Sequence, residues 1–150
     1  WAYPGGWSQV SGKIISSGKI LSVDLIKIDR IKNVSFLQCN FLERDAKKKI
    51  LGFFNNKIDV IISDMAADTT GNKSLDCIRT NQLCADVIEF SSKNLKPNGV
   101  LISKLFMGED FIEVKNLAKS KFKKVQFFKP KSSRDESKET YIHCTIIKTL

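Results

Sequence analysis

Short apolar runs alternate with longer helical stretches along the whole chain, and that alternation limits the fold more than any other feature. A repeated strand–helix order favours an α/β architecture: an open, mostly parallel sheet with helices on both faces. Residues 58–63 (IDVIIS) form an almost continuous apolar run, which predicts a strand buried on both faces. Residues 99–106 (GVLISKLF) follow a Lys96-Pro97-Asn98-Gly99 turn and read the same way. Further strands are expected over 19–24, 34–38, 124–128 and 141–148, the last rich in β-branched residues. Helices are expected over 8–16, 43–54, 75–95 and 110–120. Leu75, Ile78, Leu83, Val87, Ile88 and Phe90 supply the apolar face of the longest. Only the last two strands follow one another without a helix, so the last strand is free to run antiparallel.

Apolar residues make up 42% of 150, enough for one packed core, and a single domain over residues 1–150 is expected. No run of about 18 apolar residues occurs, so no membrane span is expected. Cys39, Cys77, Cys84 and Cys144 form no Cys-x-x-Cys pair, and His143 is the one histidine. A zinc site therefore has little support, and reduced thiols in a cytoplasmic setting are expected. The net charge of +9 suits a polyanion such as RNA or DNA. The excess is mostly lysine, in a chain also rich in Ile, Asn and Phe, which is also the composition an A+T-rich genome produces without any function. The Lys47-Lys48-Lys49 run reads as a solvated helix face.

Four constellations carry possible chemistry. Pro4-Gly5-Gly6-Trp7-Ser8-Gln9 opens a helix, where glycines let a ligand approach backbone N–H groups. Asp24 ends the next strand, 18 residues after Gly6, and an acid there suits the hydroxyls of an adenosine ribose. The plain alternative is a turn followed by a surface acid. Asp64, in Ser63-Asp64-Met65-Ala66, ends an otherwise hydrophobic strand, at the edge where open parallel sheets bind ligands. Lys104 lies inside a buried strand, which is costly unless the charge is paired. Either it reaches out from an edge strand or it meets Asp64 at one rim. Glu139 precedes the last strand, after the basic stretch that holds Ser132, Ser133 and Arg134. If that strand is antiparallel, Asp64, Lys104 and Glu139 converge on the same rim.

Together these segments resemble the FtsJ/RrmJ-type ribosomal RNA ribose 2′-O-methyltransferases. The matching stretches are residues 4–9, 23–25, 36–38, 63–66, 95–99, 103–109 and 129–141, in order along essentially the whole chain. The resemblance implies a Rossmann-like methyltransferase fold and S-adenosylmethionine as cofactor. Carried over, Gly5, Gly6 and Trp7 hold the methionine end, Asp24 the ribose, Asn40 the adenine, and Asp64 the region beside the reacting centre. Asn40 stands where the family commonly has an acid, and Ala67 where it often has proline. Asp64, Lys104 and Glu139 match the last three members of the family's Lys-Asp-Lys-Glu catalytic set. The family places the first lysine, and a hydrophobic strand, ahead of the Pro-Gly-Gly turn. Here that place holds Trp1-Ala2-Tyr3, so an upstream segment carrying both is expected.

The implied reaction moves a methyl group to a ribose 2′-oxygen, a uridine of large-subunit ribosomal RNA on an assembled particle. Lys104 is then the proton acceptor or the group that orients the hydroxyl. Lys129, Lys131, Arg134 and Lys138 are the expected RNA contacts. The protein is expected to act as a monomer, without metal or membrane. Alternatives are the same reaction on transfer RNA or a messenger cap, a small-molecule methyltransferase, and a non-catalytic RNA-binding or ribosome-assembly factor of the same fold.

Overall fold

Local sequence signals set where each element begins. In the computed structural model, which describes residues 2–55, 57–131, 133–134 and 137–148, Gly5 takes a left-handed φ of 119° and helix α1 (Gly6–Ile14) starts directly after it. Trp1 and Ser132, both within motifs read from the sequence, lie outside the described residues. Two compact units form, Trp1–Asn56 and Lys57–Leu150.

Unit 1 pairs two short parallel strands, β1 (Leu21–Asp24) and β2 (Ser35–Gln38), with Leu21 opposite Ser35. Ser8 is the buried residue of α1, and its hydroxyl lies 2.6 Å from that of Ser22 in β1. Helix α2 (Arg44–Phe53) buries Ala46 and Ile50 and leaves Lys48 and Lys49 exposed.

Unit 2 contains β3 (Ile58–Ser63), α3 (Lys73–Asn94), β4 (Leu95–Phe106), α4 (Phe111–Lys121), β5 (Phe122–Phe128) and β6 (Glu139–Ile147). The strand order is β3-β4-β6-β5. β3 and β4 are parallel, and β6 runs antiparallel to both β4 and β5. Three strands therefore point one way and the last points back. Asn72 caps α3, its side-chain oxygen accepting from Ser74 and Leu75 N–H at 3.1 and 3.2 Å. This starts the helix two residues earlier than its apolar pattern does. Ile88, Leu101, Leu105, Ala118, Ile142 and Cys144 are completely buried and form the centre of the core.

Three expectations are corrected. Residues 58–63 are not buried on both faces: Val60 and Ile62 are 51% and 43% exposed. Among the described strands β3 pairs with β4 alone, which leaves it at an edge. Leu75 and Ile78 are exposed too, whereas α3 buries Val87, Ile88 and Phe90 of the expected face together with Cys77, Thr80, Asn81, Cys84 and Ser91. That face is partly polar because two of its side chains bond to neighbouring backbone. Finally, β4 includes residues 96–99. Between the pairs Ile58–Leu95 and Val60–Val100, β4 advances five residues while β3 advances two, so the Pro-Asn-Gly turn bulges out of register. A Cβ on Gly99 would come within 2.9 Å of the Lys96 carbonyl oxygen, so the bulge requires glycine.

Candidate active site

Strand register places the reactive side chains. Ser63 of β3 sits opposite Ser103 of β4, so the next residues, Asp64 and Lys104, are neighbours. Lys104 in turn pairs with Tyr141 of the antiparallel β6. Glu139 lies two residues before Tyr141 and shares its face, because side chains alternate along a strand. Three adjacent strands thus bring Asp64, Lys104, Tyr141 and Glu139 together at one end of the sheet.

The contacts follow from that register. Lys104 Nζ lies 2.9 Å from Asp64 Oδ1 and 3.6 Å from Glu139 Oε2. The Tyr141 hydroxyl donates to Asp64 Oδ1 at 2.6 Å and reaches Glu139 Oε1 at 3.5 Å. Lys104 is the most enclosed of the charged groups, with 12% of its side chain exposed against 27% for Asp64 and 29% for Glu139. Burial, and then the bond to Asp64, hold the Tyr141 phenol well above its usual range, so it stays a neutral donor. The Tyr141 ring stacks on Phe128, with centroids 5.7 Å apart. One ammonium facing two carboxylates leaves the cluster with an excess of negative charge and with Lys104 N–H capacity for an incoming oxygen.

Two supporting residues were not read from the sequence. Tyr141 looked like one apolar member of a β-branched strand; its place two residues from Glu139 is the signal that marks it. Asn81, completely buried in α3, clamps the end of β4. Its side chain accepts from Phe106 N–H at 2.7 Å and donates to the Phe106 carbonyl at 3.0 Å and to Asp110 at 2.8 Å. Ala67 N–H donates to the buried Thr80 hydroxyl at 3.1 Å, a bond the proline common in the family could not make.

The basic residues Lys129, Lys131, Arg134 and Lys138 are all exposed on the stretch between β5 and β6. Glu139 is the first residue of β6, not the residue before it.

Unit 1 holds the residues expected around a cofactor. No side chain caps the N-terminus of α1, and a Cβ built on Gly6 meets nothing within 4 Å. Trp7, the second residue of the helix, is 44% exposed. Asp24 differs: it is 2% exposed, and its two oxygens accept from Tyr3 N–H at 2.8 Å and Ile26 N–H at 2.9 Å. Asn40 turns its side-chain oxygen to Leu42 N–H at 3.0 Å, which commits that atom to a local turn.

Comparison with known proteins decides the family. The sequence profile of FtsJ-like methyltransferases matches residues 2–146. This chain belongs to the FtsJ-like methyltransferase family. The ribosomal RNA large subunit methyltransferase E of Pelagibacter ubique is 42% identical over 147 residues, 98% of this chain and 72% of that protein. The protein of the same name from Rickettsia akari is 46% identical over 94% of this chain, which spans 65% of its length. A solved ribosomal RNA methyltransferase of Plasmodium falciparum superposes with a TM-score of 0.85 at 28% identity, covering 97% of this chain and 82% of its own. A Streptococcus mutans methyltransferase solved with SAH shares the fold at a TM-score of 0.56 and 13% identity, over 97% of this chain and 82% of its own. The methyltransferase fold expected from the sequence is therefore the fold of the chain: α/β, mostly parallel, with an antiparallel last strand and helices on both sides.

Proposed function

We propose that the chain transfers the methyl group of S-adenosylmethionine to a ribose 2′-oxygen of large-subunit ribosomal RNA, at a uridine. The observation that carries the reading is the Lys104 ammonium enclosed by Asp64 and Glu139 where β3 and β4 end and β6 begins. The names of the two bacterial relatives support ribosomal RNA as the substrate.

When bound, S-adenosylmethionine supplies a methyl group activated on a sulfonium. The helix start at Gly5, Gly6 and Trp7, which no side chain caps, suits the carboxylate of its methionine end. Each Asp24 oxygen has a second lone pair, and exchanging the Tyr3 N–H for a ribose hydroxyl keeps the carboxylate satisfied. Asn40 serves the adenine and Asp64 the methionine portion.

Lys104 orients the 2′-hydroxyl and stabilises charge on its oxygen as the bond forms. Its ammonium already faces Asp64 and Glu139, which favours that role over direct proton abstraction. The hydroxyl proton passes to the carboxylate side of the cluster, which has two acids for one cation. Tyr141 and Asp64 fix Lys104 in place, and Glu139 adds a weaker contact. Lys129, Lys131, Arg134 and Lys138 hold backbone phosphates, positioning the strand without reading its sequence. A cytoplasmic protein with reduced thiols fits this substrate.

The test measures labelled methyl transfer to purified large-subunit ribosomal RNA, transfer RNA and capped messenger RNA, with S-adenosylmethionine binding followed by calorimetry. Transfer to ribosomal RNA alone is expected. Methylation of only one of the other RNAs replaces the substrate, and no cofactor binding ends the enzymatic reading.

A further inference from the structure

Unit 1 has a cavity of about 720 Å³ at the amino-terminal ends of β1 and β2. Asp24 and Gln38 end those strands at the opposite rim, about 10 Å away along the strands. Lys19, Arg30, Lys32, Asn33 and Phe53 line the cavity. No carboxylate lines it, and none of its three cations joins an ion pair among the described residues. Lys19 is nevertheless held in place. Its ammonium donates to the Phe53 carbonyl at 3.0 Å and sits 5.5 Å from the centre of the Phe53 ring. Both contacts position the charge without cancelling it, so little side-chain freedom is lost when an anion arrives.

The chemistry favours phosphate on a chain over an enclosed small anion. Lys19, Arg30, Lys32 and Asn33 are all exposed, so the cavity is a concave landing and not a closed pocket. A guanidinium and two ammonium groups match successive phosphates. The half-buried Phe53 ring adds an aromatic wall on which a base can stack. We propose that this cavity is a second RNA contact, holding backbone phosphates of the ribosomal RNA. The inference rests on the RNA-methylating reading above, and it adds Lys19, Arg30, Lys32 and Phe53 to a binding surface otherwise expected at residues 129–138.

The test compares the unaltered chain with the triple variant Lys19→Gln, Arg30→Gln, Lys32→Gln, and with a control triple, Lys48→Gln, Lys73→Gln, Lys123→Gln, which removes three exposed charges elsewhere. A fluorescent single-stranded fragment of large-subunit ribosomal RNA is titrated at several salt concentrations, and S-adenosylmethionine affinity is measured on the same preparations. The cavity variant should bind RNA at least about tenfold more weakly. Its dependence of log Kd on log salt should be shallower by about 2, since each lost phosphate contact on a single strand removes about 0.7. Cofactor affinity should not change. Phe53→Leu, which keeps an apolar side chain, should weaken RNA binding severalfold with no change in salt slope. Equal effects of the two triple variants, or no effect of the cavity variant, overturn the proposal. Displacement of the RNA by inorganic phosphate at equal phosphate concentration also overturns it, in favour of a free-anion site. Failure of the unaltered chain to bind RNA overturns both this proposal and its parent. RNA binding without methyl transfer overturns the parent alone.

Discussion

In unit 2 the clustered side chains come from three hydrogen-bonded strands, and each is placed by register against the next. In unit 1 the residues expected to hold a cofactor come from a helix start, a strand end and a turn. The strand-built cluster is held by its own contacts: its cation lies against both acids, and its phenol bonds Asp64. The unit 1 residues contact mostly backbone, which makes them receptive to a ligand that brings its own donors and acceptors. Groups that must meet at fixed distance sit on a sheet, and groups that must exchange partners sit at ends and turns.

The hardest blow to this contrast is Lys104→Ala. It should reduce methyl transfer to ribosomal RNA by about 10²–10⁴-fold. It should also lower stability by up to about 3 kcal/mol in denaturant unfolding, because two carboxylates lose their cation. Lys104→Arg should recover stability, and part of the activity if the group orients the hydroxyl; recovery of stability alone marks it as the proton acceptor.

Asp24→Ala probes the other unit. Two backbone N–H groups lose their acceptor, at a cost of about 1–3 kcal/mol. S-adenosylmethionine affinity by calorimetry should fall at least about tenfold. A stability loss with unchanged cofactor affinity would make Asp24 a purely structural acid.

Smaller effects sharpen the picture of the sheet-built site. Tyr141→Phe keeps the ring on Phe128 and removes the bond to Asp64, so about 1 kcal/mol and a severalfold loss of kcat are expected, with little change in KM.

The mildest test is pH. Burial pushes the Cys84 thiol up to about 11 and the Cys144 thiol up to about 12, from 9.0, and the Tyr141 phenol is raised as well. A raised group in the folded chain is fully stabilising below its unfolded value and loses that contribution as pH climbs. Unfolding free energy should therefore hold steady up to about pH 9 and decline above it. Cys84→Ala with Cys144→Ala should flatten the first part of that decline. Thiol labelling of the folded protein should reach the half-buried Cys39 before Cys77, Cys84 or Cys144, which are buried.

Much of this was legible in the residues. The strands and helices fall close to where their patterns put them, because apolar runs, caps and turns are local. The convergence of Asp64, Lys104 and Glu139 could be read because each lies at a strand end or inside an apolar run, where a charge is conspicuous. Tyr141 was hidden because an aromatic residue in a strand is unremarkable until its partner strand is known. The state of Asp24 was hidden for a similar reason: its Tyr3 partner is 21 residues away, and backbone donors leave no mark in composition. Val60 and Ile62 misled because an apolar run does not reveal whether its strand lies at an edge.

The reversed direction of β6 has a practical consequence. Because the site uses the first residue of that strand, Glu139 is fixed by its pairing with Phe106 and by its own N–H, which donates to the Ser137 hydroxyl at 3.1 Å. Ser137 and Lys138 are therefore part of what holds the reacting groups, since the Lys138 carbonyl also accepts from Met107 N–H at 2.8 Å, and an exchange of the stretch ahead of β6 must keep them. Swapping only the residues ahead of those two between related enzymes offers a way to change the grip on the RNA backbone while keeping the machinery intact.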